Sequence, residues 1–118
     1  MRAAIVGTGG IARIHQRVIA QLGGEIVGVC GRSLSSAQRF GSEAYDNLEA
    51  MLRATRPDVL HICTPNHLHC EQALAGFAAG AHVVCEKPLA ASSDEAERMM
   101  QAAHRAGRTG GVCYNYRG

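Results

Sequence analysis

A glycine-rich hexapeptide near the N-terminus has the composition and spacing of a phosphate-binding turn. Residues Gly7-Thr8-Gly9-Gly10-Ile11-Ala12 form a GxGxxA pattern that follows a short apolar run and opens an amphipathic helical pattern. In such a pattern Gly7 permits a tight turn, Gly9 lets the backbone approach a pyrophosphate, and Ala12 keeps the helix close to the strands. The positive end of the helix would then face the phosphates. The alternative is a glycine-rich turn without a ligand, but the flanking strand and helix patterns favour a dinucleotide site.

The end of the second apolar run bears on which dinucleotide would bind. An acidic residue normally lies about 20 positions after the glycine pattern, where it accepts hydrogen bonds from the adenosine ribose hydroxyls. This chain instead has Cys30-Gly31-Arg32-Ser33, which contains no carboxylate. Arg32 offers a cationic fork and Ser33 a hydroxyl to a 2′-phosphate. We therefore predict that NADP is the preferred cofactor. If Arg32 is only a solvated cation, the site would take NAD or both nucleotides.

Lys87, in the tripeptide Glu86-Lys87-Pro88, is a candidate for acid–base chemistry. It is the single lysine of the chain, beside eleven arginines. Because only the compact amine of lysine deprotonates readily, this composition indicates a position where an amine rather than a permanent charge is needed. Such a group beside a nicotinamide would suit a proton relay to a substrate hydroxyl. The alternative is an exposed loop lysine paired with Glu86.

A third polar segment, Thr64-Pro65-Asn66-His67, follows the fourth apolar run. Asn66 is a candidate N-cap for the helical pattern after it, and its neighbours would face a ligand. His67 and His69, with His61 nearby, raise the possibility of a metal site. However, an HxH pair at the start of a helix points its imidazoles apart, and no carboxylates or cysteines with ligand spacing accompany it. We therefore predict no metal site.

Short apolar runs alternate with helical patterns, and this order determines where the candidate residues lie. Strands are predicted at 3–6, 25–30, around 44–45, and at 59–63, 82–85 and 109–114, with helices between them. Asp46 with Glu49, and Ser92 with Glu95, form capping-box patterns at two helix starts. This alternation predicts an α/β fold: a doubly wound, Rossmann-type parallel sheet of about six strands with helices on both faces. Ligands bind beyond the carboxyl ends of such strands, which here are followed by 7–12, 31–33, 64–67, 86–88 and 115–117.

Length and composition restrict the class of protein. The 118 residues, 47% hydrophobic and 19% charged, are typical of one compact domain over 1–118. A net charge of +2 is too balanced to predict binding to nucleic acid or to an anionic membrane. The five cysteines are odd in number and contain no CxxC spacing, which disfavours both a disulfide framework and a zinc site. Reduced cysteines, together with the lack of any apolar stretch of membrane-spanning length, predict a cytoplasmic protein.

A set of segments spread over the whole chain forms one recognisable pattern. It consists of 4–12, His15, Thr64-Pro65-Asn66, Glu86-Lys87-Pro88 and Tyr114-Asn115-Tyr116-Arg117. These segments resemble the N-terminal NAD(P)-binding domain of the Gfo/Idh/MocA oxidoreductases, the family of glucose-fructose oxidoreductase and inositol 2-dehydrogenase. The resemblance implies hydride transfer between NAD(P) and a hydroxyl-bearing carbon of a sugar, cyclitol or related compound.

The resemblance also implies roles for individual residues. Lys87 would lie by the nicotinamide and the substrate hydroxyl, and the segment 64–66 would line the nicotinamide side. Family members that prefer NAD usually have Asp where this chain has Gly31, which adds to the prediction of NADP.

Part of the family's enzyme is expected to lie outside this chain. Family members carry a second α/β domain that supplies the substrate floor and a catalytic Asp and His, and this domain is absent from residues 1–118. We therefore expect these residues to bind a nicotinamide dinucleotide but to be inactive alone, and to act on a small polyhydroxylated substrate only when the second domain is supplied. The alternative is a stand-alone nucleotide-binding or regulatory Rossmann module without catalysis. Apolar surface left uncovered favours self-association, so we expect a homo-oligomer, which a strictly monomeric sedimentation profile would contradict.

Overall fold

Six parallel strands form the single sheet at the centre of the protein. The computed structural model describes residues 1–86, 93–107 and 112–114. The strands are Arg2–Val6 (β1), Glu25–Cys30 (β2), Ala44–Tyr45 (β3), Val59–Ile62 (β4), His82–Glu86 (β5) and Val112–Tyr114 (β6). Their order is β3-β2-β1-β4-β5-β6, and every neighbouring pair is parallel. This is the order of a Rossmann fold, in which the strand order reverses beside β1. The predicted fold class is confirmed.

Helices cover both faces of this sheet. They are Gly10–Gln21 (α1), Leu34–Gln38 (α2), Leu48–Thr55 (α3), His69–Ala78 (α4) and Ser93–Ala106 (α5), with a 3-10 turn at Asn66–Leu68. One core layer lies between the sheet and α1 and α2, and a second lies between the sheet and α3, α4 and α5. Ala4 and Val6 belong to one layer, while Ala3 and Ile5 belong to the other. Because β1 is buried on both faces, it holds the following glycine turn on a rigid base.

Two helix starts differ from the predicted ones. Asn47, rather than Asp46, caps α3, because its backbone is extended and its Oδ1 accepts a hydrogen bond from the Ala50 N–H at 2.8 Å. Asn66 does not cap a helix; the carbonyl of Pro65 accepts from the Leu68 N–H at 3.0 Å and tightens this segment into the 3-10 turn. Both predictions were wrong. The predicted cap at Ser92 lies outside the described residues.

The helical layer on the α1 side leaves a cavity beside β4 and β5. Its volume is about 320 Å³, and its lining includes Val18, Leu22, His61 and His82. His15 is buried in the same region, and its Nδ1 lies 2.9 Å from Nδ1 of His61. Burial of the imidazole is the main cause, and the neighbouring His15 the smaller cause, that lowers the pKa of His61 to about 4. The imidazole of His61 is therefore neutral near pH 7, and the pair acts as a buried polar contact between α1 and β4.

Candidate functional site

A cleft opens at the carboxyl edge of the sheet, where the strand order reverses. Its volume is about 760 Å³. Its walls come from the segments that follow β1, β2, β3 and β4, together with the start of α4. Its lining includes Gly7, Thr8, Gly9, Cys30, Gly31, Arg32, Asp46, Thr64, Pro65, His67 and Gln72. Such a crevice is where doubly wound sheets bind ligands.

Gly7 makes the turn out of β1 and has no room for a side chain. Its φ is +111°, a conformation that residues with a Cβ rarely adopt. A Cβ at this position would lie 2.4 Å from the carbonyl oxygen of Cys63. The Gly7 N–H meanwhile donates to the carbonyl of Cys30 at 2.8 Å. The turn is thus wedged between the ends of β2 and β4, and only glycine fits there.

Gly9 and Gly10 leave the N-terminus of α1 bare. A Cβ on either residue would meet no atom within 4 Å, so the space in front of the helix is open. Gly9 occupies the N-cap position with an extended backbone, and it has no side chain with which to cap the helix. The N–H groups of the first turn are therefore available to an anion. Ala12, one turn further on, is fully buried and lets α1 pack closely on the sheet, while Ile11 in the first turn is 36% exposed.

The segment after β2 contains an exposed cation and a capped helix. Arg32 is exposed and lines the cleft. Ser33 caps α2, since its Oγ accepts a hydrogen bond from the Ser36 N–H at 3.3 Å. The Ser33 hydroxyl therefore caps the N-terminus of α2. The three-residue spacing between Ser33 and Ser36 is the sequence feature that could have predicted this cap.

Gly31 lies where an acidic residue would be expected, and two side chains fill the space beside it. A Cβ there would lie 2.4 Å from Oγ of Ser36 and 2.9 Å from Cγ2 of Thr8. Ser36 is itself held by a hydrogen bond from its Oγ to the Ser33 carbonyl at 2.9 Å. A side chain at position 31 would therefore require the Ser36 hydroxyl and the Thr8 methyl to move.

The segment after β4 is held in place by two side chains of α4. His69 is 1% exposed, and its Nε2 lies 2.8 Å from the Thr64 carbonyl, to which it donates. The Thr64 hydroxyl donates to Oε1 of Gln72. Thr64, Pro65 and His67 line the cleft, and Asn66 begins the 3-10 turn between them. His69 and Gln72 are positioning residues that the sequence reasoning missed, although the HxH spacing of His67 and His69 was a signal for one of them.

The remaining candidate residues follow β5. The backbone of Glu86 ends this strand at the same edge of the sheet as the cleft, beside β4. Lys87 lies outside the described residues, as do residues 115–117.

Within the described ranges, no cluster of three or more His, Cys, Asp or Glu could hold a metal ion. No helix in the same ranges is long and apolar enough to cross a membrane.

Cys30 and Asp46 lie close together at the outer end of the cleft. Burial raises the pKa of the Cys30 thiol to about 11, with smaller contributions from the carboxylates of Asp46 and Glu49. The thiol is thus protonated and behaves as an apolar group near neutral pH. Asp46 follows β3, the strand beside β2, and lines the cleft. From its sequence pattern Asp46 was interpreted as a helix cap, so this position was not predicted.

Comparison with known proteins places the chain in one family. The matching family model is that of the GFO/IDH/MocA oxidoreductases, described as having an NAD-binding Rossmann fold, and it covers residues 1–114. The chain is 36% identical to D-glucoside 3-dehydrogenase of Escherichia coli (strain K12), over 99% of this chain and 35% of that protein. It is 30% identical to inositol 2-dehydrogenase of Paracoccus denitrificans (strain Pd 1222), over 92% of this chain and 34% of that protein.

The solved structures agree with the sequence relatives. The WlbA dehydrogenase from Bordetella pertussis, in complex with NADH and UDP-GlcNAcA, superposes with a TM-score of 0.87 at 35% identity, covering 92% of this chain and 35% of that one. The chain spans about a third of the length of the curated relatives it matches. With its sheet order, its glycine turn and these likenesses, the chain belongs to the Gfo/Idh/MocA family of oxidoreductases, as an NAD-binding Rossmann domain.

Proposed function

We propose that this chain holds the nicotinamide dinucleotide of an oxidoreductase that transfers hydride to or from a hydroxyl-bearing carbon of a sugar, cyclitol or related compound. The observation that carries the proposal is the bare N-terminus of α1, which opens into the cleft where the strand order reverses. Support for the substrate class comes from the relatives, which include a D-glucoside 3-dehydrogenase and an inositol 2-dehydrogenase. A stand-alone regulatory module is not favoured, because these relatives are dehydrogenases.

The residues of the cleft fit the dinucleotide by their chemistry. The turn Gly7 to Gly9 and the first-turn N–H groups of α1 would take the pyrophosphate, since they are open and positively polarised. The segment 64–67, held by α4, would line the nicotinamide side. The bound nicotinamide supplies the hydride acceptor or donor. The protein's part is to hold that ring at the edge of the sheet, where Glu86 ends β5.

Arg32 is the basis for a more specific proposal on the cofactor, namely that NADP is preferred and NAD is also bound. Its guanidinium is exposed on the rim of the cleft, where it would pair with a 2′-phosphate. Arg32→Gln is expected to weaken NADPH binding about tenfold, the low end for a hydrogen bond to a charged group, and to leave NADH binding unchanged. Titration followed by nicotinamide fluorescence at low and moderate salt measures both constants. In wild type, the affinity for NADPH should fall more steeply with salt.

A matched variant separates this effect from a general loss of charge. Arg39→Gln removes a second exposed cation after α2 that does not line the cleft. It should leave both affinities as in wild type. Equal weakening of NADPH and NADH in Arg32→Gln, or the same change in Arg39→Gln, would refute the role of Arg32. Failure of wild type to bind either nucleotide would refute the proposed function itself.

Lys87 is proposed as the group that exchanges a proton with the substrate hydroxyl. The support is its position in the sequence directly after β5 and its chemistry as the one amine side chain of the sequence. In an enzyme of family length containing this chain, Lys87→Met should retain NADH binding and lower turnover about a hundredfold, the low end for a general acid–base group. Turnover equal to wild type would remove Lys87 from the mechanism.

A further inference from the structure

The ends of β2 and β3 bring Gly31 and Asp46 side by side. Cys30 pairs with Tyr45 in the parallel register, and the Gly31 N–H donates to the Tyr45 carbonyl at 2.9 Å. The two strands therefore stay in register to their last residues, and Asp46 lies one strand spacing, about 4.8 Å, from position 31. Position 31 is where a Rossmann fold normally has its ribose-binding acid.

Position 31 is a glycine and supplies no carboxylate in this protein. The start of α2 and Thr8 occupy the space that a side chain would need, as the 2.4 Å separation from Ser36 Oγ shows. A carboxylate for the ribose could come only from a neighbouring segment that reaches the same part of the cleft. Among the residues that the structure describes, Asp46 is the acidic one that lines the cleft.

The Asp46 carboxylate is available for a ligand. Asn47 takes the capping position of α3, so Asp46 is not used to hold the helix. Asp46 is exposed, and within the described ranges its side chain makes no hydrogen bond to another residue. Asp46 follows Tyr45, the partner of Cys30 in the sheet, and its carboxylate adds to the effect of burial in raising the pKa of the Cys30 thiol.

We propose that Asp46 is a specificity-determining residue that accepts hydrogen bonds from the adenosine ribose hydroxyls, in place of the acid missing from the end of β2. This inference rests on the proposed dinucleotide function. A carboxylate accepts hydrogen bonds from a ribose diol but repels a 2′-phosphate, whereas Arg32 on the same rim attracts that phosphate. The two opposite charges let the cleft take both nucleotides, and Asp46 limits the preference for NADP.

The test compares Asp46→Asn with a variant that removes the same charge nearby. Glu49→Gln is the control, because Glu49 also acts on Cys30 but does not line the cleft. NADH and NADPH are titrated separately into each variant of the chain. Asp46→Asn should weaken NADH about tenfold and bind NADPH at least as tightly as wild type, whereas Glu49→Gln should keep the wild-type ratio of the two dissociation constants. Asp46→Ser should shift the ratio in the same direction as Asp46→Asn.

The outcomes separate this inference from the proposed function. An unchanged ratio in Asp46→Asn, with wild type still binding a nucleotide, would overturn the role of Asp46 and leave dinucleotide binding intact. An equal shift in Glu49→Gln would also overturn it, because the effect would then be one of general charge. If wild type binds neither nucleotide, both proposals fall together. Thermal unfolding followed by circular dichroism verifies that the variants are folded.

Discussion

Gly7→Ala is expected to lower the free energy of unfolding by about 4 kcal/mol, through backbone strain and overlap with neighbouring atoms. The φ of +111° is unfavourable for alanine, and the added methyl would lie 2.4 Å from the Cys63 carbonyl oxygen. That oxygen belongs to the backbone at the end of β4 and cannot swing away as a side chain would. Since small domains have about 5–15 kcal/mol of stability, the loss is a large part of the total. Urea unfolding followed by circular dichroism measures it.

Two other glycines of the same turn provide controls with the opposite expectation. Gly9→Ala and Gly10→Ala meet no atom within 4 Å and neither residue has a positive φ, so both variants should unfold near the wild-type urea concentration. Gly9→Ala should nevertheless weaken NADH and NADPH binding about tenfold or more, because its methyl would stand where the backbone approaches the pyrophosphate. Gly10→Ala lies inside α1 and should keep most of the affinity.

The pattern across these variants is what tests the turn. Stability in Gly7→Ala equal to that in Gly9→Ala would mean that Gly7 is not wedged against β4. Wild-type affinity in Gly9→Ala would mean that the phosphates bind elsewhere. Both positions belong to one hexapeptide motif, but we expect Gly7 to stabilise the fold and Gly9 to let a ligand approach the backbone.

The elements that could be predicted from sequence are those whose signals are local. The strand 25–30 was placed to the residue, because an apolar run lies between glycines and a loop. Helix starts were less predictable, since Asp46, Asn47 and Asn66 are all good capping residues and backbone conformation decides among them. Asn47 is the N-cap of α3 because its own backbone is extended and its amide oxygen accepts a hydrogen bond from the Ala50 N–H.

The parts of the site that escaped prediction depend on contacts between distant segments. Asp46 reaches the cleft because β3 pairs with β2, and His69 acts there because α4 turns its buried face toward the Thr64 carbonyl. The spacing of residues in a single sequence does not show which distant segments come into contact. The absence of an acid at position 31 was visible in the sequence, but the packing of Ser36 and Thr8 around Gly31 was not.

Acid is expected to destabilise the fold through His61. The pKa of His61 is lowered from 6.5 to about 4 in the folded protein by burial and by His15. Between these values the unfolded chain binds a proton that the folded protein does not, so stability is greatest above pH 6.5 and falls as the pH decreases. The loss is about 1.4 kcal/mol for each pH unit and about 3 kcal/mol in all, ending near pH 4. Urea unfolding at pH 7, 6.5, 6, 5.5 and 5 measures the slope.

His61→Asn isolates this contribution, because the asparagine amide can occupy the place of the imidazole Nδ1 beside His15 without titrating. His82 and Asp58 line the same cavity and are unchanged in the variant, so the difference between the two slopes belongs to His61. The variant should lose about 1.4 kcal/mol less than wild type for each pH unit between 6.5 and 5. His67→Asn, which alters an exposed histidine, should retain the wild-type slope. If His61→Asn retains the wild-type slope as well, the lowered pKa of His61 is not what destabilises the folded protein in acid.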